Sequence, residues 1–429
     1  MKRDKLTILM VVEQCNPDWA SVPLLAYHTV SHVAKQNGTR VILITHERNK
    51  KGLSQSNVDR TIFIPESKFE KAYYKLISSL TQFHSKRIWP LYHLLNYPLF
   101  YAFQYRADRH AKKLVDSKAI DLIHVFTPIL PRYGYKLSRL SKAIPIVLGP
   151  VNGGLAFPKG FKRKAQSEFS FFNSFRALAK FLPYYKKSYQ KASLVLAGSK
   201  DTYRFLAKSI PLNERRLRLY HENGVDDSFF QSKTKKKDKK TLSLLFIGRL
   251  VPYKCCDILI RAIHAVPKDI KPVIECTIVG DGSEKNRLKR LIKTCRLENQ
   301  ITMTGWVDQN ETRQFYSQAD LFCFPSIREF GGAVVLEAQA HGLPCLVTNH
   351  GGISEYVEDQ KTGYKINASS YQDMVNGFSK KITELFYDRE KLSYLSRQAH
   401  DHAKQWEWSE KAQQLYKIYH QCIQGQYDE

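Results

Sequence analysis

Short, uninterrupted apolar runs recur along the chain, separated by helix-length amphipathic stretches. A strand that is apolar on both sides needs cover on both sides, and a parallel sheet flanked by helices supplies it. The pattern therefore predicts an α/β chain built from parallel sheets. It occurs as two series. Strands are expected at Leu6–Val12, Val41–Thr45, Thr61–Ile64, Leu122–Phe126, Ile144–Leu148 and Leu194–Ala197 in the first. In the second they are expected at Leu242–Ile247, Cys276–Val279, Ile301–Thr304, Leu321–Phe324 and Pro344–Val347.

Between the series lies 231–240, a lysine-rich run without an apolar residue, which reads as a linker. A chain of 429 residues is long enough for two or three domains at about 100–200 residues each. The expected division is 1–230, the linker 231–240, and 241–404. A closing helix over 405–429 follows, with Trp408, Ala412, Leu415, Tyr416 and Tyr419 at helical spacing. It is expected to pack back on the first domain.

The formal charge of +27 is uneven. Residues 1–240 hold 44 Lys and Arg against 17 Asp and Glu, whereas residues 241–429 hold 23 of each. With 43% hydrophobic and 12% aromatic residues, the chain is too apolar for a disordered polyelectrolyte. A basic surface of this kind suits nucleic acid, an anionic membrane or an anionic ligand. No RRM, zinc-finger or helix-turn-helix pattern accompanies it, so nucleic acid is not expected as a partner.

Residues Leu6–Val12 could open a signal peptide, but Glu13 ends the apolar run too early, and a first strand is the better reading. No run approaches the roughly 18 apolar residues of a membrane span. The eight cysteines have no C-x-x-C spacing and lie in apolar patterns. They are expected to be reduced and buried, as in a cytoplasmic protein, and not a disulfide frame or zinc site. Two segments interrupt the α/β rhythm. Ile88–Phe103 is dense in aromatics, contains Pro90 and Pro98, and precedes Arg106, Arg109, Lys112 and Lys113. It fits a helix lying in a membrane interface and equally a buried helical insertion. Lys159–Lys191 mixes Phe169, Phe171, Phe172, Tyr184 and Tyr185 with lysines and one acid, Glu168; a solvated helix face also fits it.

The richest stretch is Pro325–Glu355. A strand ends there, the pair Gly331-Gly332 opens a helix, and two carboxylates, Glu329 and Glu337, stand seven residues apart. Glycine lets backbone approach a ligand closely, and a helix N-terminus offers free N–H groups to a phosphate. A carboxylate accepts two hydroxyls at once, so Glu337 in the helix suits a ribose and Glu329 on the loop suits a sugar. A second strand then ends at Thr348, and Gly351-Gly352 opens the next helical turn.

The ordered set of glutamate, seven residues, glutamate, Gly-x-Pro, strand and Gly-Gly-x-x-Glu resembles the donor-site signature of family 4 glycosyltransferases. The resemblance implies a GT-B fold, two Rossmann-like parallel-sheet domains facing a cleft, and a retaining transferase. Gly248-Arg249-Leu250 followed by Lys254 is similar to the family's diphosphate-binding element, where two cations stabilise the leaving group. Gly280-Asp281 and Trp306 match landmarks near the nucleotide base, and Phe330, Gly331 and Gly332 complete the donor loop. In the first domain, Asn16–Pro23, His124–Pro128 and Gly149–Gly154 resemble its three strand-end loops, bringing in Asn152 and Gly153.

Two departures bear on this. Asn16–Pro23 stands where many members carry a Gly-Gly loop, and Phe126 stands where many carry a cleft histidine. His124 is thus a candidate at the reacting centre and equally a plain strand residue. No Asp-x-Asp motif is present, so the resemblance implies a donor site without metal or other cofactor, using Arg249, Lys254 and helix N-termini. The expected activity is transfer of a sugar from a nucleoside diphosphate sugar to a glycan or lipid-linked acceptor, in polysaccharide, lipopolysaccharide or glycolipid assembly. The basic first domain suits an anionic surface on the inner face of the cell membrane. A sugar-nucleotide-binding protein without transferase activity is the alternative.

Overall fold

The computed structural model describes residues 5–54, 57–83, 86–87, 89–167, 181–210, 212–230, 240–308 and 311–426. The linker, apart from Lys240, lies outside them, as do Ile88, Glu168, Phe169, Phe171 and Phe172. Two compact units result: Met1–Gly154, Phe171–Glu222 and Trp408–Glu429 form one, and Leu155–Ser170 with Asn223–Glu407 form the other. The division differs from that expected at residue 230. Phe161 and Phe229 enter the second unit's core. Lys164 pairs with Asp257 at 2.8 Å, and the Val225 N–H donates to the Trp406 carbonyl at 2.9 Å.

In chain order the first unit contains β1 (Leu6–Val12), α1 (Val22–Ala34), β2 (Thr39–His46), β3 (Arg60–Ile64), α2 (Lys68–Leu80), the short pair β4 (Gln82–Phe83) and β5 (Lys86–Arg87), α3 (Trp89–Asp116), β6 (Leu122–Thr127) and β7 (Ile146–Val151). After α4 (Lys162–Ser167), which belongs to the second unit, it continues with α5 (Tyr185–Lys191), β8 (Leu194–Ala197), α6 (Lys200–Ser209) and β9 (Leu217–Leu219). Its sheet order is β3-β2-β1-β6-β7-β8-β9, parallel throughout. Successive side chains point to opposite faces. Leu9, Val11, Ile123 and Val125 enter one core layer and Ile8, Met10, Leu122 and Phe126 the other.

Helix α3 decides between the two readings of the aromatic segment. Phe100, Phe103, Ala107 and Ala111 follow the helical repeat and are buried in the first of those layers. Tyr92 and Leu99 pack with Ile77 of α2. The segment is a buried helical insertion. Strand β7 begins two residues later than expected and runs on through Gly149 and Pro150.

The second unit contains β10 (Leu242–Ile247), α7 (Cys256–Ala265), β11 (Ile274–Val279), α8 (Lys285–Thr294), β12 (Ile301–Gly305), α9 (Thr312–Gln318), β13 (Leu321–Phe324), α10 (Ala333–Ala340), β14 (Cys345–Thr348), β15 (Gly363–Ile366), α11 (Tyr371–Tyr387) and α12 (Arg389–Lys404). Its parallel sheet has the order β12-β11-β10-β13-β14-β15. The chain then returns to the first unit as α13 (Trp408–Gln424). Trp408, Ala412, Leu415, Tyr419 and Cys422 of α13 are buried in the first unit's second core layer, and Trp408 stacks on His28 at 5.3 Å. All eight cysteines are buried free thiols.

Candidate functional site

In the second unit the chain lays β11 and β12 on one side of β10 and then crosses to place β13 on the other. In an open α/β sheet, ligands bind beyond the carboxyl ends of the strands where the order reverses. Here that place is the end of β10 and β13, and the expected donor residues gather around it.

Strand β10 runs into Gly248 and Arg249, and a single 3-10 turn, Pro252–Lys254, leads to α7. The turn buries Lys254 to 8% exposure and sets its ammonium 4.6 Å from the centre of the Phe324 ring. That ammonium is paired with the carboxylate of Glu329, on the loop after β13. Burial lowers the Lys254 pKa, and the Glu329 charge opposes the shift. Ser326 donates a second hydrogen bond to Glu329, 3.3 Å long. Arg249 is exposed, donating to the Tyr253 hydroxyl at 2.7 Å. The site therefore holds one cation neutralised in place and one open to solvent.

The loop carrying Glu329, Phe330 and Gly331 is held by the loop after β14. The Gly352 N–H donates to the Glu329 carbonyl at 2.9 Å, and a Cβ on Gly352 would overlap the Phe330 carbonyl oxygen. Only glycine allows that approach. Gly332 is the N-cap of α10, so free N–H groups of the first turn face the loop end. Glu337, on α10 and 8% exposed, accepts from the Tyr316 hydroxyl at 2.8 Å. Burial, and then the Glu337 charge, push the Tyr316 pKa well up.

On the other side of β10 the strand ends are laced together. Gly248 donates to the Val279 carbonyl at 3.0 Å and Gly280 to the Gly305 carbonyl at 2.8 Å. Gly280 has φ +138°, and a Cβ there would overlap the Gly248 carbonyl. Asp281 pairs with Lys285 at 2.5 Å, which lowers its pKa. Trp306 follows β12 and is 66% exposed. Tyr316, Ser326 and Tyr253 were not among the sequence candidates. Tyr316 lies 21 residues from Glu337, outside any local spacing.

The first-unit candidates fare differently. His124 is fully buried, on a central strand whose two faces are both covered. Its Nδ1 lies 2.7 Å from the Tyr419 hydroxyl of α13 and its Nε2 2.6 Å from the Gly149 carbonyl. Burial lowers its pKa to about 4. It is a neutral link between β6 and α13, the position of the plain strand residue among its two readings. Asn152, 1% exposed, accepts from Ser199 at 2.9 Å and Thr202 at 2.8 Å. The Gly153 N–H donates to Thr202 at 2.9 Å. These two brace the start of α6.

Two family models match end to end: Glycosyltransferase Family 4 over residues 26–229 and Glycosyl transferases group 1 over residues 227–402. A sulfoquinovosyl transferase of Arabidopsis thaliana is 27% identical over 232 residues, 51% of this chain and 43% of that protein. The chain spans about half the length of the curated relatives it matches. Among solved structures, Anabaena HepE in complex with UDP superposes with a TM-score of 0.60 at 17% identity, covering 96% of this chain and 99% of that one. WaaG, a glycosyltransferase involved in lipopolysaccharide biosynthesis, gives a TM-score of 0.59 at 14% identity, covering 96% and 99%. The fold of the two parallel-sheet units is GT-B. The two models together cover residues 26–402, and this chain belongs to the family 4, group 1 glycosyltransferases.

Proposed function

We propose that the protein transfers a sugar from a nucleoside diphosphate sugar to an acceptor hydroxyl, with retention of configuration and without a metal. The observation that carries the proposal is the pairing of buried Lys254 with Glu329 at the strand-order reversal, with exposed Arg249 nearby in the chain. The crystallised neighbour that holds UDP supports a nucleotide in the same fold. On donor binding the diphosphate takes Lys254 and Arg249 as counter-charges, and Glu329 turns to the hydroxyls of the sugar. The α10 N-terminus and the Gly331 and Gly332 amides add donors, and Glu337, oriented by Tyr316, takes the ribose. The bond from the anomeric carbon to phosphate breaks as the acceptor oxygen forms the glycosidic bond on the same face. The leaving phosphate oxygen takes the acceptor proton. Initial rates of Arg249→Ala, Lys254→Ala and Glu329→Ala test the assignment; unchanged transfer in any of them removes that residue from it.

The acceptor proposed is a glycan or lipid-linked sugar at an anionic membrane surface on the cytoplasmic side. Among the described residues no helix is long and apolar enough to cross a membrane, so attachment would be peripheral. Helix α2 supports that reading. Phe69, Leu76 and Leu80 are 76%, 53% and 61% exposed, and their spacing puts them on one face. Lys68 and Lys75 run beside them, both exposed. Each such lysine contributes about 1 kcal/mol at an anionic surface. Sedimentation with anionic vesicles against neutral ones tests it, and equal binding to both overturns the electrostatic part.

A further inference from the structure

The second unit takes in a piece of chain from the first half of the sequence. Residues Leu155–Ser170 follow β7 but belong to the second unit, and the described part of this strap touches the loops that build the donor side. The Ala156 carbonyl lies 2.8 Å from Nε2 of His350, on the loop after β14. The centre of the Phe157 ring lies 5.1 Å from the guanidinium of Arg328, on the loop after β13. Phe161 is buried in the unit's core. Helix α4 then brings Lys164 to a third loop, the turn that carries Lys254.

Lys164 grips that turn from both ends. Its ammonium donates to the Pro252 carbonyl at 3.1 Å and to the Asp257 carboxylate at 2.8 Å. Pro252 opens the 3-10 turn and Asp257 lies in the first turn of α7, so one cation ties together the ends of a segment with Lys254 inside it. The backbone between them needs holding. Cys255, next after Lys254, has φ +55°, in the left-handed region that side chains other than glycine rarely occupy, and such a residue persists where its surroundings over-determine it. The grip is secluded, with the Lys164 side chain 16% exposed and that of Asp257 6%. Arg287 at 3.2 Å and the Tyr371 hydroxyl at 3.1 Å hold Asp257 as well. Burial raises the Asp257 pKa, but the charge and hydrogen bond of Lys164 more than offset it, so the net shift is downward and the carboxylate is ionised.

We infer that Lys164 is a positioning residue of the donor site: by fixing the segment from Pro252 to Asp257 it sets the Lys254 ammonium where a diphosphate meets it. The inference rests on the donor-site reading of Lys254. Because the Lys164 ammonium is committed to two protein acceptors, its effect on a ligand runs through Lys254 and through the phosphates alone.

The test uses the full chain with Lys164→Met and Lys164→Gln, which remove the charge, and Lys164→Arg, which keeps it. Calorimetric titration with UDP, GDP and ADP reads diphosphate binding, and saturation-transfer NMR with uridine, guanosine and adenosine reads the nucleoside part. For the diphosphate that the wild type binds, Kd should rise about tenfold in both neutral variants, as for one lost charge-assisted hydrogen bond, and stay within about twofold in Lys164→Arg. The matching nucleoside should bind all four proteins alike, since it has no phosphate for Lys254 to meet. In a Lys254→Ala background, Lys164→Met should add no further loss. A lysine that merely supported the fold would weaken nucleoside and diphosphate together, and that result overturns the inference. If Lys164→Met does not fold, Lys164→Gln carries the same comparison. Neutral variants that bind the diphosphate as tightly as the wild type overturn the inference alone, whereas a wild type that binds none of the three diphosphates overturns the donor-site reading and the inference with it.

Discussion

Lys254 and Glu329, 75 residues apart in sequence, form a partly buried ion pair at the ends of β10 and β13. The same two side chains are the ones proposed to separate when a diphosphate sugar enters. Such a pair keeps the cation in position and charged before the ligand arrives, at the cost of breaking one ion pair on binding. That arrangement makes both partners sensitive positions.

Lys254→Ala leaves Glu329 without its counter-charge and the diphosphate with Arg249 alone. Transfer should fall about 100-fold or more, in the range seen on losing a charge-stabilising donor. Thermal unfolding should show a loss of about 1–3 kcal/mol from the stranded carboxylate. A wild-type rate in a stable variant would refute the assignment.

Tyr316→Phe removes the hydroxyl that orients Glu337. The expected cost is about 1 kcal/mol in donor binding, or roughly a five- to tenfold rise in the donor KM. The kcat should change little, because the ribose lies away from the reacting carbon. Steady-state kinetics with varied donor separate the two constants.

Gly352→Ala forces a methyl group onto the Phe330 carbonyl, pushing apart the two loops that build the donor side. We expect a drop of about 1–3 kcal/mol in stability, as for other overpacked sites, and weakened nucleotide binding. Gly425→Ala, where nothing lies within contact range, should leave nucleotide binding at the wild-type level. Calorimetric titration with UDP distinguishes them.

His124→Phe should lose stability and keep its chemistry. The histidine bridges Tyr419 and the Gly149 carbonyl from inside the core, so its removal strands two groups and costs about 1–3 kcal/mol. Its folded pKa is about 4, below the ordinary 6.5. The folded state therefore binds fewer protons, and this contribution is complete above pH 6.5 and lost as the pH falls toward 4. Denaturation midpoints of wild type and variant should converge over that window, with specific activity at pH 7.5 alike.

Glu13 has the opposite sign. Burial raises its folded pKa to about 7, above the ordinary 4.5, so the folded state holds a proton that the unfolded chain releases. Stability is lost as the pH rises from 4.5 to 7, by at most about 3 kcal/mol. Glu13→Gln should be the more stable protein at pH 8 and should equal the wild type near pH 4.5. Urea denaturation at the two pH values measures the difference.

Much of this architecture is written locally. Runs such as Leu242–Ile247 and Leu321–Phe324 occupy strands with those very bounds, because a strand covered on both faces must be apolar throughout. The donor loop was legible because its glycines and carboxylates lie within some 30 residues. Helix α13 announced itself through its apolar spacing. Composition alone did not settle the aromatic segment of α3: an apolar face looks the same whether a core or a membrane covers it. The outward apolar face is on α2, where Phe69 and Leu80 alternate with residues that pack inward.

The sequence by itself determined the parallel α/β architecture, the family, and which loops carry carboxylates and cations, since each depends on periodicity or on neighbours within a few turns. Tertiary structure decided the pairings: Lys254 with Glu329, Tyr316 with Glu337, and His124 with Tyr419. Parallel strands are joined by long crossovers, so residues at adjacent strand ends are tens to hundreds of positions apart along the chain. Burial then fixes their protonation, and burial is a property of the packed sheet, not of any one segment.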